Sequence, residues 1–280
     1  LCLGASSLVS TGQESKTENY SFVGEAKFER LVDEMWPHRD EPIGDLVGRI
    51  ALELVDTPYV GFTAEISDDT EMCVVNMHGL DCVTLFENSL GIARMLKQGE
   101  REPEDLVEQV SLTRYRDGQV NGYLSRLHYT TDWFHDNVRK GVVEMVTDNL
   151  EDREPYTRPV GFMSANPNLY RQLDANPDLV PLVVQMENKV NARPKFYIPQ
   201  EKVAANEQYF KTGDLVGITT TRGGIDITHT GLIYVDEDGV ARFLHASSVA
   251  DKVILDSSIS EYLARVEGST GVMIARPLEP

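Results

Sequence analysis

Cys82 lies in the run Gly79-Leu80-Asp81-Cys82-Val83-Thr84-Leu85-Phe86-Glu87-Asn88, where Phe86, Leu90, Ala93 and Leu96 begin to recur at helical spacing. A cysteine there opens a helix, where unpaired backbone N–H groups and the positive end of the macrodipole meet. That position favours thiolate, the form that attacks carbonyl carbon, and it predicts alkylation already fast near pH ~6. Far downstream, His229 and His245 fall on two runs that read as the strands of one hairpin, Ile225 to Val235 and Ala241 to Ala246. A thiol, a histidine to move its proton and a second polar group to orient that histidine are the parts of a cysteine hydrolase. Cys82 could instead be a buried structural thiol and His229 a satisfied core histidine.

Other elements follow from pattern and punctuation. Phe22 to Trp36 reads as an amphipathic helix stopped by Pro37. A second helical pattern runs from Pro42 through Leu54, and Glu71 to Val75 reads as a short strand. The Cys82 helix ends at Gln98-Gly99. Pro103 to Val110 suggests a helix, Gly118 to Gly122 a turn, Leu127 to Trp133 mixed structure and Val142 to Thr147 a strand. Asn166 and Asn176, each before a proline, read as helix caps. Leu215 to Thr221 is a strand, and Asp238-Gly239 marks the turn of the histidine hairpin. A helix-borne cysteine followed by an antiparallel sheet bearing the histidines is an α+β arrangement of the papain type, with an insertion at roughly 100–205.

The net charge of −19, from 45 acidic and 26 basic residues, argues against a nucleic-acid partner or an anionic membrane surface. No run reaches membrane-span length. Leu1-Cys2-Leu3-Gly4-Ala5 and the polar stretch through Asn19 resemble an export-signal remnant and a flexible tail, so residues 1–20 are set apart from a single domain over 21–280. Export implies a periplasmic protein; a cloning boundary in a cytosolic protein is the alternative. The spacing of Cys73, His78 and Cys82 matches no common zinc pattern, and His38, His128 and His135 have no ligand-like neighbours. No metal or cofactor is expected. A Cys73–Cys82 disulfide or two buried thiols stay open.

Thr57-Pro58-Tyr59, Asp81-Cys82, Gly213-Asp214-Leu215-Val216, His229-Thr230-Gly231-Leu232-Ile233-Tyr234 and Leu244-His245-Ala246-Ser247, in that order, resemble the NlpC-like superfamily of papain-fold cell-wall hydrolases. Tyr115-Arg116-Asp117-Gly118, Ser125-Arg126-Leu127-His128-Tyr129, Asp132-Trp133 and Gly224-Ile225-Asp226-Ile227-Thr228-His229 narrow the resemblance to its N-acetylmuramoyl-L-alanine amidase-like branch, of the AmiA type. The resemblance implies Cys82 as nucleophile, His229 as base, His245 as orienter and Tyr59 near the oxyanion. It implies a muropeptide substrate, carrying the anhydro-muramoyl end and cut between sugar and L-Ala. One departure is Val83-Thr84 where the commoner superfamily pattern has Ser-Gly, which puts ordinary endopeptidase specificity in doubt.

Arg126, His128, Tyr129, Asp132 and Trp133 concentrate polar and aromatic groups, which suits a sugar's hydroxyls and apolar faces. With the resemblance they read as substrate-binding, and Asp226 joins them; without it they read as a surface loop anchored by one Trp. Two competing functions remain: an endopeptidase cutting between D-Glu and diaminopimelate, and a non-catalytic glycan-binding protein with Cys73 and Cys82 joined.

Overall fold

The computed structural model describes residues 20–280. The export remnant and tail, with Cys2, lie outside the described residues, except that Tyr20 belongs to a strand. That strand, β1 (Tyr20–Val23), pairs in parallel with β2 (Cys73–Asn76). Gly24, at φ 94°, ends it, so the first helix α1 begins at Glu25 rather than Phe22 and runs to Met35. Next come α2 (Ile43–Glu53), α3 (Cys82–Lys97) and α4 (Pro103–Arg114).

The segment between the cysteine helix and the histidine strands carries α5 (Thr130–Arg139), β3 (Val143–Met145), β4 (Glu154–Pro155), α6 (Phe162–Ala165), α7 (Arg171–Ala175), α8 (Val180–Asn191), β5 (Phe196–Pro199) and α9 (Gln200–Asn206). The asparagine caps expected here do not form. Neither Asn166 nor Asn176 accepts a first-turn N–H, and the Asn166 side chain donates back to the Phe162 carbonyl at 2.9 Å. The chain closes with β6 (Leu215–Thr220), β7 (Ile227–Val235), β8 (Ala241–Ser247), β9 (Lys252–Ser258), α10 (Ile259–Arg265) and β10 (Ser269–Pro277).

One sheet runs in the order β4-β5-β10-β6-β7-β8-β9, with β3 also paired to β10. This segment, expected from the sequence to be an insertion, extends the sheet that bears the histidines. Alternate residues of the strands face opposite sides. Leu215, Leu232, Leu244 and Met273 meet α1, α2 and α3 in the larger core. Val216, Ile218, Ile233, Phe243 and Ile274 meet the apolar sides of α9 and α10. The helix α3 is buried all round, from Thr84 to Leu96, because α2, α4 and the sheet enclose it. Some of its polar residues are paired inside: Asn88 donates to the Asn76 carbonyl, and Arg94 donates to Gln109. No helix among the described residues is long and apolar enough to cross a membrane.

Candidate active site

Asp81 is the N-cap of α3. Its Oδ1 accepts the N–H groups of Val83 at 3.0 Å and Thr84 at 2.8 Å, while the Thr84 hydroxyl accepts the Asp81 N–H at 2.9 Å. This reciprocal capping box fixes the entry angle of the helix and gives the Thr84 of the Val83-Thr84 departure its part. It leaves the Cys82 N–H without an oxygen acceptor among the described residues. Cys82 itself is half-buried, and Thr230 of β7 donates its hydroxyl to the Cys82 carbonyl at 2.8 Å. The nucleophile's turn is thus tied to the strand that carries His229.

Both Cys73 and Cys82 are free thiols, which removes the disulfide alternative. Cys73 is buried in β2, its thiol 3.8 Å from the Val107 carbonyl. Burial, and then the Asp81 carboxylate, push the Cys82 thiol up to about 11. The structure therefore points away from the low-pKa thiol expected from its helix position. The cap takes up the Val83 and Thr84 N–H groups and sets a negative charge beside the sulfur.

His229 and His245 meet as expected. His229 Nε2 lies 2.7 Å from His245 Nδ1, with the rings nearly perpendicular. Burial, helped by His245, lowers His229 to about 3. Burial, with Arg265 adding to it, lowers His245 to about 4. Both rings are therefore neutral at neutral pH. Asp256 Oδ2 faces His245 Nε2 at 3.6 Å. Burial alone would raise this carboxyl, but Arg265 at 2.8 Å, the Ser257 N–H and His245 hold it below its ordinary value. A carboxylate at Nε2 favours the proton there, so His245 Nδ1 accepts from His229 Nε2–H. The nitrogen left with a free lone pair is His229 Nδ1. Among the described residues no hydrogen bond joins the Cys82 thiol to His229.

Two further residues complete the surroundings, and the sequence reading passed over both. Asp256, on β9, is one. Tyr262 of α10 is the other: its ring lies 5.1 Å from His245 and 4.8 Å from Phe243, walling the histidine pair. Nothing in an Asp-Ser-Ser or a helical Tyr marks such a role before the strands are paired. Tyr59 is half-buried, and burial, then its neighbours Cys82 and Asp81, raise its phenol, which keeps it a donor beside that helix turn. A cleft of about 390 Å³ opens beside His229 and His245, with Thr228, Ser247, Arg222 and Glu267 among its lining residues.

Of the six residues read as substrate-binding, Arg126, Tyr129, Asp132, Trp133 and Asp226 are buried and His128 is half-buried. Arg126 pairs with Glu65 at 2.5 Å and Glu71 at 3.2 Å. His128 Nε2 meets the Tyr123 carbonyl at 2.9 Å, and Tyr129 donates to Glu187 at 2.8 Å. Asp132, with no exposed surface, is held by Arg116 and Arg193. Trp133 donates from Nε1 to Glu87 at 3.1 Å and packs edge-on to Phe86. Asp226 accepts the Thr131 and Ile227 N–H groups, each at 2.8 Å. Buried polar groups are retained when paired, and these are paired with one another's neighbours. They hold the inserted segment on the core, and none lines the histidine cleft.

With this geometry in place, the comparison with known proteins is direct. The family model for N-acetylmuramoyl-L-alanine amidase-like proteins matches residues 49–271. The chain belongs to that family. It is similar to a Bacteroides uniformis structure named as an N-acetylmuramoyl-L-alanine amidase, with 30% identity and a TM-score of 0.77 over 85% of this chain and 99% of that one. A Bacteroides fragilis structure named as a xylanase shares 32% identity and a TM-score of 0.73, covering 81% of this chain and 98% of that one. A Legionella pneumophila protein shares the fold at 18% identity, with a TM-score of 0.66 over 92% and 98% of the two chains. No curated protein matches.

Proposed function

We propose that this member of the amidase-like family is a cysteine amidase that cuts the amide between anhydro-N-acetylmuramic acid and L-Ala of a muropeptide. The observation that carries the reading is the 2.7 Å His229–His245 contact on strands adjoining a helix that begins at Cys82. A nucleophile on a helix start and an oriented base on an antiparallel sheet is a papain-like arrangement.

The proton inventory follows from the neutral resting state. As the Cys82 sulfur attacks the lactyl carbonyl carbon, its proton passes to His229 Nδ1. The thiol–imidazole contact tightens on substrate binding, as catalytic hydrogen bonds commonly do. The Cys82 N–H, which has no oxygen acceptor of its own among the described residues, receives the oxyanion with the Tyr59 hydroxyl. The imidazolium, steadied by His245 and Asp256, returns the proton to the L-Ala nitrogen as the C–N bond breaks. A water then gives its proton to His229 and attacks the thioester; the thiol is regenerated and the sugar leaves as the acid. A glycoside-cleaving reading, suggested by the name of the Bacteroides fragilis neighbour, ordinarily takes two flanking carboxyl groups. Glu267 is the one carboxylate among the residues lining the histidine cleft.

Cys82→Ala and His229→Ala are expected to abolish turnover of a defined muropeptide while each variant unfolds like the parent, since residues acting as one unit lose nearly everything together. Near-normal hydrolysis by His229→Ala removes the base from this scheme.

A further inference from the structure

We propose, resting on the amidase reading, that Arg222 is the receptor for the free α-carboxylate of D-Glu in the leaving peptide. Arg222 lines the cleft that holds His229 and His245. Among the described residues its guanidinium meets no carboxylate within ion-pair distance, in a chain carrying 45 acidic residues. Glu267 lines the same cleft and forms no ion pair with it.

The arginine is nevertheless held in place. Its backbone N–H donates to Thr220 Oγ1 at 3.1 Å, and its guanidinium lies 5.2 Å from the ring centroid of Phe162. Phe162 belongs to the inserted segment, which docks on the turn after Arg222. The N–H groups of Gly161 and Phe162 both donate to the Gly224 carbonyl at 3.0 Å. Gly224 has φ 77°, and a Cβ there would meet the Phe162 nitrogen at 3.0 Å. A guanidinium resting over a ring spends none of its N–H donors on it, which leaves them for a planar bidentate acceptor.

The substrate's chemistry says which half this cation faces. The sugar's one carboxyl is consumed in the scissile amide, so every free carboxylate sits on the peptide. The carboxylate nearest the cut, one residue beyond L-Ala, is the α-carboxylate of D-Glu. Arg222 thus assigns the histidine cleft to the peptide side, and the inserted segment reaches the substrate through Phe162.

The test uses full-length protein carrying Cys82→Ala, which binds without cutting, titrated calorimetrically with two disaccharide-tetrapeptides. One has a free D-Glu α-carboxylate and the other its carboxamide. The free acid is expected to bind roughly 10-fold tighter, as a charge-assisted hydrogen bond would give. Adding Arg222→Gln should bring the two ligands to equal affinity, near that of the carboxamide; adding Arg222→Lys should keep part of the preference. An unchanged preference with Arg222→Gln, or none with Cys82→Ala alone, overturns the proposal. Should the native enzyme leave the sugar–peptide bond intact while the Arg222-dependent preference persists, the amidase reading fails and the carboxylate site stands.

Discussion

At the scale of single residues the site is a chain of neutral groups ending on one charge: thiol, His229, His245, then Asp256. The pH dependence follows from that. Because His229 and His245 are lowered to about 3 and about 4, both stay neutral well below the ordinary histidine value, and the base is lost only as pH falls through those values. The account expects kcat/KM to hold level from pH ~7 down to pH ~5, and an acid limb near the ordinary histidine pKa of roughly 6.5 would contradict it. Asp256→Asn keeps the shape but removes the charge facing His245. The expected loss is about 10-fold in kcat with KM little changed, the effect of losing a group that orients a catalytic ring. A wild-type kcat would leave Asp256 as a surface partner of Arg265 only. Cys82, His229 and His245 were legible from residue type and order. Asp256 and Tyr262 were not, because β9 and α10 reach the histidines only through strand pairing and packing.

At the scale of elements, the cap of α3 sets both the helix and its thiol. Asn caps as well as Asp, so Asp81→Asn should change stability by less than about 0.5 kcal/mol. It also removes the second-ranked cause of the raised thiol, after burial. Iodoacetamide alkylation at pH ~8 is therefore expected to speed several-fold, since reactivity follows the thiolate fraction. An unchanged rate would show that burial alone governs the sulfur. The start of α3 and the β7–β8 hairpin could be read from helical spacing and from Asp238-Gly239. Helix α5 could not: its Thr130-Thr131-Asp132 start falls in a run of mixed pattern, and its polar side chains are buried only because Arg116, Arg193 and Glu87 meet them. The polar and aromatic run from Arg126 to Trp133, which suits a sugar by composition, is likewise paired inside the fold. A buried ion-pair network and a polar binding surface share a composition, and only burial separates them. Gly231 shows the close fit of the hairpin, since a Cβ there would lie 2.6 Å from the Leu244 carbonyl and 2.9 Å from the His245 Cβ.

At the scale of the whole molecule, the cysteine helix, the segment after it and the short parallel pair are fastened by one buried knot. Arg114 of α4 pairs with Glu87 of α3 at 2.7 Å and donates to the Val74 carbonyl at 2.6 Å, and Glu87 also accepts from Trp133 of α5. Removing one partner of a buried pair strands the other charge, so Arg114→Ala is expected to cost about 3–5 kcal/mol in urea unfolding. A loss below about 1 kcal/mol would mean that water or a neighbour satisfies Glu87. The acidic balance of the chain, −19 overall, sets the exposed Arg222 apart as a local exception beside the histidines. The sheet as a whole was only half visible in the sequence, since β10, which lies between β5 and β6, sits at the far end of the chain from the elements it joins. The central claim concerns which bond is cut, and product masses from one defined anhydro-disaccharide-tetrapeptide test it most directly. The account predicts a free anhydro-disaccharide and an intact tetrapeptide beginning with L-Ala. A sugar-linked L-Ala-D-Glu dipeptide, released by cutting after D-Glu, would contradict it and make this chain an endopeptidase.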